Sequence, residues 1–173
     1  MSHRAFTLIE LLVVIAIIGT LSSIVVSSLN SARNKSVDAS IRESLQQARN
    51  QAELFYASNN NEYFVLTNPA RQLCSASATG SATNGVSGVY RILKDAAEKY
   101  APGTPITNGG RDTEFACNDN FSNSTQYKGW ALQAVLKSGE TLCVDYKGNA
   151  TSSMDGNILR GVDDISCNHP GNF

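Results

Sequence analysis

Histidine is nearly absent from this chain, which carries only His3 and His169 among its 173 residues. A catalytic triad of nucleophile, histidine and acid would have to use His169, because His3 lies at the extreme amino terminus. His169 falls in a terminal stretch with no helix or strand pattern, and the sequence contains no glycine-rich phosphate loop. The sequence therefore predicts a protein that is not an enzyme.

An excess of positive charge is also missing, since 14 Lys and Arg stand against 15 Asp and Glu and the formal net charge is −1. Nonspecific binding to nucleic acid depends on many Lys and Arg side chains that neutralise phosphates. The sequence also has no local cluster of basic and aromatic residues that could bind nucleic acid despite the negative net charge. We therefore expect no nucleic-acid partner.

Closely spaced metal ligands are absent as well. No pair at the short spacing of zinc sites occurs among the four cysteines, which are Cys74, Cys117, Cys143 and Cys167. An even number of cysteines in a small polar region instead suits disulfides in an oxidising compartment. We expect the region that carries them to lie outside the cytoplasm.

Charge disappears entirely over residues 11–29, a run long enough to cross the hydrocarbon core of a membrane as one helix. The alternative is a cleaved secretory signal, which has a shorter apolar core preceded by several basic residues, whereas only residues 1–5 form the leader here. The sequence predicts a membrane-spanning helix. One carboxylate, Glu10, stands near its start, where an ionised side chain needs a partner or a function.

Residues 5–15, with the sequence Ala-Phe-Thr-Leu-Ile-Glu-Leu-Leu-Val-Val-Ile, resemble the class III signal of type IV pilins and pseudopilins. The resemblance implies that a prepilin peptidase cuts between Ala5 and Phe6, methylates the new amino terminus at Phe6 and leaves the apolar helix in place. Ala5 stands where the family usually has Gly, and Ser27 stands where many members have a helix-kinking Pro. Without that Pro, local unwinding is expected at Gly19 and the serine pair that follows it, because Gly is a poor interior residue of a helix.

The same resemblance implies a role in assembly for Glu10. Its carboxylate would pair with the amino terminus of Phe6 on a neighbouring subunit, among apolar helices. Breaking a buried ion pair costs about 3–5 kcal/mol, so this pair would fix the register of stacked helices. The alternative is that Glu10 lies in the headgroup layer of the membrane and has no such role.

Four segments are predicted: a leader removed at residues 1–5, a transmembrane and assembly helix at 6–29, its amphipathic continuation at 30–58, and a globular head at 59–173. The continuation is predicted because apolar residues recur at helical spacing, namely Val37, Ile41, Leu45, Ala48, Ala52 and Phe55. Three asparagines at residues 59–61 would end this helix, and a second, short helix is predicted at residues 89–100.

Alternating apolar residues predict two strands, at residues 130–137 and 141–146, each with one buried face and joined by a turn at Ser138 and Gly139. Loops are predicted at residues 75–85 and 104–112. A helix with an apolar stripe and a sheet with an apolar face form a small α+β core. The resemblance implies the type IV pilin fold, a long amino-terminal helix packed on a small antiparallel β-sheet.

The four cysteines allow three pairings, which the sequence does not separate. We favour Cys74 with Cys117 and Cys143 with Cys167, since the second bond would attach the unpatterned tail to the hairpin.

No cofactor is expected, and calcium is the one weak candidate. Its ligands would come from acidic residues beside Gly and Asn near the carboxyl end, namely Asp145, Asp155, Asp163 and Asp164. The Asp-x-Asp-x-Asp-Gly loop typical of calcium sites is not present.

The predicted function is that of a pilin, the structural subunit of a type IV pilus-like filament. Its partners would be other pilin subunits, the prepilin peptidase, the inner-membrane assembly machinery and the membrane itself. The subunit would be a single-pass membrane protein with its head outside the cytoplasm, and later part of a filament at the cell surface. Two alternatives remain open: a pseudopilin of a type II secretion system, and a signal-anchored extracytoplasmic binding module that does not polymerise.

Overall fold

The chain forms two helices and seven short strands in a computed structural model that describes residues 7–58, 60–65, 71–74, 87–107, 114–119, 129–154, 158–159 and 165–167. The elements are α1 (Leu8–Ser58), β1 (Phe64–Val65), β2 (Arg71–Gln72), α2 (Ser87–Tyr100), β3 (Ile106–Thr107), β4 (Phe115–Asp119), β5 (Trp130–Val135), β6 (Thr141–Asp145) and β7 (Ala150–Ser153). Two compact units contain them, Met1–Ser36 and Val37–Phe173.

The first unit contains the amino-terminal part of α1, which is helical through Gly19. The unwinding expected at that position was therefore wrong. A glycine inside a helix costs only about 1 kcal/mol relative to alanine, which is too little to break a run of apolar helix formers. Thr20 and Ser23 donate their hydroxyl protons to the backbone oxygens of Ile17 and Thr20, both at 2.9 Å, and leave the helix intact.

In the second unit α1 buries the predicted apolar stripe. Its buried residues are Ile41, Ser44, Leu45, Ala48, Ala52 and Phe55, spaced three and four apart. The helix ends at Ser58 as expected, because Asn60 and Asn61 adopt left-handed backbone angles with φ of 55° and 60°. The Asn61 amide then donates to the Tyr56 carbonyl oxygen at 3.1 Å, which satisfies one of the last carbonyls of the helix.

The second predicted helix is confirmed as α2, which buries Val89, Leu93, Ala96 and Ala97 in the same core as the stripe of α1. Residue Gly103 follows its end with φ of 83°, and its amide donates to the Glu98 carboxylate at 3.2 Å. The predicted loop at 104–112 is partly wrong, since Ile106 and Thr107 form β3, and its residues 108–112 lie outside the described residues.

Strands β3 to β7 form one sheet in chain order, so every strand pairs with its neighbour in sequence. The predicted hairpin is confirmed as β5 and β6, with Leu132 opposite Val144 and a turn at Gly139, whose φ is 87°. The sheet is not wholly antiparallel, because β3 pairs with β4 in parallel. Strands β1 and β2 form a separate antiparallel pair.

Both faces of β5 and β6 are buried, so the prediction of one buried face was wrong. The helices cover one face, which carries Trp130 and Leu132. The other face is covered by the carboxyl-terminal region through a second cluster of buried residues, namely Ala116, Ala131, Cys143, Ile158, Leu159 and Cys167. The sheet is therefore the middle layer of three, an arrangement that the alternating pattern of two strands does not reveal.

Polar contacts attach α1 to the hairpin turn where the second unit begins. Asp38 accepts hydrogen bonds from the backbone amides of Lys137 at 2.6 Å and Ser138 at 3.2 Å. One turn further along α1, Arg42 forms an ion pair with Glu140. These contacts fix the hairpin against α1 in addition to the apolar core.

Candidate processing and assembly segment

The start of α1 is held by a reciprocal pair of side chains, Thr7 and Glu10. The Glu10 carboxylate accepts hydrogen bonds from the Thr7 amide at 3.0 Å and the Thr7 hydroxyl at 2.8 Å, while the Glu10 amide donates to the Thr7 hydroxyl oxygen at 3.3 Å. This is a capping box, which supplies partners for amides that the first turn of a helix leaves unpaired. Glu10 therefore stabilises the helix start within its own chain.

The apolar segment that follows has no cover. Every large apolar side chain from Leu8 to Leu29 is between 49% and 80% exposed. Among the described residues α1 is the one helix that is long and apolar enough to span a membrane, and none of its most apolar window, with mean hydropathy 2.6, is buried. A core helix of a globular protein would bury this window, so the segment requires another apolar environment.

The predicted processing residues, Ala5 and Phe6, lie outside the described residues, and their roles stay predictions. Glu10 lies three residues from Thr7 at the first turn of α1, at the head of the exposed apolar segment. The predicted assembly residue therefore lies at the start of the exposed apolar segment, and its role in assembly stays a prediction.

Comparison with known protein families gives a match at the start of the chain. Residues 1–26 match the family described as the prokaryotic N-terminal methylation motif. This segment is the class III prepilin signal of type IV pilins and pseudopilins. No curated protein and no solved structure matches the chain.

The prepilin signal and the architecture agree with each other. The long apolar α1 packed on a five-stranded, mostly antiparallel sheet is an α+β arrangement consistent with the pilin fold. The motif supports a pilin-like or pseudopilin protein, and with the apolar helix it fits a protein anchored in a membrane.

Thr7 is the residue of the prepilin signal that sequence reasoning missed. The spacing Thr-x-x-Glu just before an apolar run is itself the sequence signature of a capping box. Glu10 was interpreted as a partner for another subunit or as a residue of the headgroup layer, and its local bond to Thr7 was overlooked. The two roles can follow one another, since a carboxylate that caps the free subunit remains exposed and able to accept a further donor.

The four cysteines form two disulfides, Cys74 with Cys117 and Cys143 with Cys167, with Cα–Cα distances of 5.4 and 5.6 Å. These are the two pairs favoured from the sequence. The second bond joins β6 to the segment that covers the outer face of the sheet.

Asp145, the one calcium candidate among the described residues, is fully buried and already saturated with donors. One carboxylate oxygen accepts the amides of Lys147 and Asn149, both at 3.0 Å, and the other accepts the Asn149 side-chain amide at 2.9 Å and the Cys167 amide at 3.0 Å. Two carboxylate oxygens offer about four lone pairs, so none remains for a cation. Asp145 anchors the turn and the tail, and the other three candidates, Asp155, Asp163 and Asp164, lie outside the described residues.

Proposed function

We propose that this protein is a pilin, a structural subunit that polymerises through α1 into a type IV pilus-like filament. The single observation that carries the proposal is the prepilin signal over residues 1–26. In that signal the apolar helix is retained after cleavage between Ala5 and Phe6, so the exposed apolar side chains of residues 8–29 remain available to the mature protein.

The physical basis of polymerisation is a change of environment for these side chains. In the membrane they contact lipid, and in a filament they would contact the same segment of other subunits. Both environments remove them from water, at about 25 cal/mol for each Å² of apolar surface, so subunits can be stored in the bilayer before assembly. The prepilin peptidase and the inner-membrane assembly machinery are the partners that this sequence of steps requires.

Glu10 would set the register of the polymer. Once Phe6 is the amino terminus, its amine is a donor and a charge that must find a partner in the apolar interior of a filament. The Glu10 carboxylate of an adjacent subunit is the group of opposite sign nearest to that end of the helix. No calcium or other cofactor takes part in this proposal.

The amino terminus of the native protein tests the proposal. We would compare, by mass spectrometry, protein from sheared extracellular filaments with protein from membranes of the same cells. N-methylated Phe6 in the sheared fraction is the expected result. The variant Ala5→Gly, which restores the residue usual in this family, serves as the matched control and should be processed at least as well.

Two other results would replace the proposal with its alternatives. Processed protein confined to membranes would indicate a pseudopilin of a type II secretion system, whose filament stays short. An intact Met1 in every fraction, with Ala5→Gly processed normally, would indicate a signal-anchored binding module that does not polymerise.

A further inference from the structure

A groove lies in the second unit between α1 and the last two strands of the sheet, and we refer to it as the α1–β7 groove. Its volume is about 380 Å³, which is within the range of about 300–1,000 Å³ that is typical of sites for small molecules. Its floor is apolar and is formed by the buried side chains of Leu45, Leu142 and Val144 with Ala150 of β7. The groove can therefore contact an apolar group.

The charges within the lining of the groove do not favour an anion. Arg42 forms an ion pair with Glu140, and Glu140 also accepts a hydrogen bond from the Ser152 side chain. Glu43 lines the groove as well, is exposed, and accepts the Gln47 side-chain amide at 3.3 Å. Because Arg42 is neutralised and Glu43 is not, this end of the groove is negative.

The other end of the groove is closed by a different guanidinium, that of Arg49. Arg49 lies one turn beyond Gln46, which lines the groove, and reaches from α1 to the turn between β6 and β7. A Cβ atom at Gly148 in that turn would lie 2.9 Å from Nη2 of Arg49. Gly148 also has a φ of 88°, which glycine adopts without strain. A larger residue at this position would displace the guanidinium.

Arg49 is half-buried but its N–H donors are unused. In the part of the chain that the structure describes, its guanidinium forms neither an ion pair nor a hydrogen bond. Carboxylates nearby in sequence have other donors, since Glu53 accepts the Tyr63 hydroxyl at 2.9 Å and Asp145 accepts four hydrogen bonds. Lys147 in the same turn adds a second positive charge. This end of the groove is therefore positive and has donors for an anion.

We propose that the α1–β7 groove binds a small apolar carboxylic acid, with its carboxylate on Arg49 and its apolar body on the floor. A planar guanidinium can donate two parallel hydrogen bonds to one carboxylate, which makes this pair both strong and directional. Glu43 lies six residues before Arg49, about 9 Å along a helix, and repels a carboxylate from its end of the groove. The ligand therefore binds in one orientation. This site does not depend on filament formation.

Binding of para-fluorobenzoate to the full-length protein in nonionic detergent tests the proposal, because fluorine NMR measures the bound fraction directly. The neutral analogue para-fluorobenzamide has nearly the same shape and is the matched probe, and detergent without protein gives the background for both. We expect the carboxylate to bind roughly tenfold more tightly than the amide, since the amide lacks the charge that strengthens its hydrogen bonds to Arg49. Equal affinities for the two probes would overturn the proposal.

Variants of the charged residues test the two ends of the groove. Arg49→Gln should raise the dissociation constant of para-fluorobenzoate roughly tenfold, and Arg49→Lys should retain part of the affinity, because lysine keeps the charge but not the planar fork. Glu43→Gln should lower the dissociation constant, since it removes the repelling charge. Arg91→Gln, exposed on α2, is the matched control and should bind as the wild type does. Unchanged affinity in Arg49→Gln or in Glu43→Gln would contradict the proposed orientation.

Ala150→Phe distinguishes the groove from an anion site on the surface. Ala150 lines the groove from β7, so a phenyl ring at this position occupies the groove and leaves Arg49 unchanged. We expect this variant to lose binding of para-fluorobenzoate, whereas Lys94→Phe, exposed on α2, should retain it. Urea unfolding verifies that both variants are folded. Binding that persists in Ala150→Phe, or competition by inorganic phosphate as effective as that by benzoate, would overturn the proposal, because the anion would then bind without the apolar floor.

Discussion

Glu10 is the residue at which two uses of one carboxylate can be separated by experiment. In the free subunit it accepts two hydrogen bonds from Thr7. Glutamine can serve in a capping box but carries no charge, whereas alanine can neither cap the helix nor carry a charge. If the charge pairs with the Phe6 amine of a neighbour, we expect Glu10→Gln and Glu10→Ala both to reduce filament yield severely while membrane insertion is unchanged. The measurement is immunoblotting of sheared and membrane fractions.

The control for Glu10 is Thr7→Val, which removes the capping hydroxyl and leaves the charge. Loss of a cap costs about 1 kcal/mol of helix stability, which the many apolar contacts of a spanning helix can absorb. We expect filaments to persist in this variant. Normal filaments with Glu10→Gln would contradict the charge-pairing role and would leave helix capping as the function of Glu10.

The buried carboxylate of Asp145 accepts four hydrogen bonds. The variant Asp145→Asn replaces one carboxylate oxygen with an NH₂ group. That group then faces amide donors that the oxygen accepts in the wild-type protein. An unsatisfied buried donor costs about 1–3 kcal/mol, so we expect a loss of this size in the free energy of unfolding. Urea unfolding of the detergent-purified protein, followed through the fluorescence of the single tryptophan, measures it.

Asp95→Asn is the matched control, because Asp95 is exposed on α2. A surface change of this kind usually alters stability by less than about 0.5 kcal/mol. Equal stability of Asp145→Asn and wild type would show that the four hydrogen bonds of Asp145 contribute little to the fold.

At the scale of elements, Glu140 joins the β5–β6 turn to both α1 and β7. A hydrogen bond from Ser152, with a further contribution from the Arg42 guanidinium, holds the pKa of Glu140 below its ordinary value of 4.5 although burial opposes the shift. A lowered pKa in the folded state stabilises the fold above the ordinary pKa, and this contribution is lost as the pH falls through the folded value.

We therefore expect Glu140→Gln to lower the free energy of unfolding at pH 7 by about 0.5–1 kcal/mol, since the side chain is partly exposed to solvent. The difference from wild type should shrink once the pH falls below 4.5. Urea unfolding at a series of pH values measures it, with Glu62→Gln as the control. A difference that stays constant with pH would show that charge at Glu140 is not responsible.

Local patterns predicted the elements that depend on near neighbours. The stripe from Ile41 to Phe55 identified the second half of α1, and the alternation around Leu132 and Val144 identified the hairpin. The layer over the outer face was not predictable, because it depends on contacts between distant residues. Gln133, for example, accepts hydrogen bonds from the amides of Ile158 and Leu159 at 2.9 and 2.8 Å, across separations of 25 and 26 residues.

The features of the candidate site also differ in whether the sequence could predict them. The prepilin signal and Glu10 could be recognised from a short contiguous segment, and so could the Thr-x-x-Glu spacing that was overlooked. The hydrogen bonds of Asp145 could not all be recognised, since the Cys167 amide that it accepts lies 22 residues away in sequence.

At the scale of the whole molecule, the residues that form the folded core and the residues that limit solubility in water lie in different parts of the chain. All residues of the two described core clusters lie between Ile41 and Cys167, within the unit Val37–Phe173. The exposed large apolar residues lie almost entirely in residues 8–29. Residues 8–29 can therefore be deleted without deleting a core residue.

We expect a chain that begins at Asn30 to be soluble without detergent and to form both disulfides, because its core is complete. Together the two bonds close loops with separations of 43 and 24 residues, each contributing about 3–4 kcal/mol in the chain-entropy model. Mass spectrometry without reduction and size-exclusion chromatography measure the outcome, with the full chain in detergent as the control. Aggregation or free thiols in the shortened chain would show that residues 8–29 are needed for folding as well as for anchoring. A folded head that stays monomeric would place the main energy of assembly in the apolar segment.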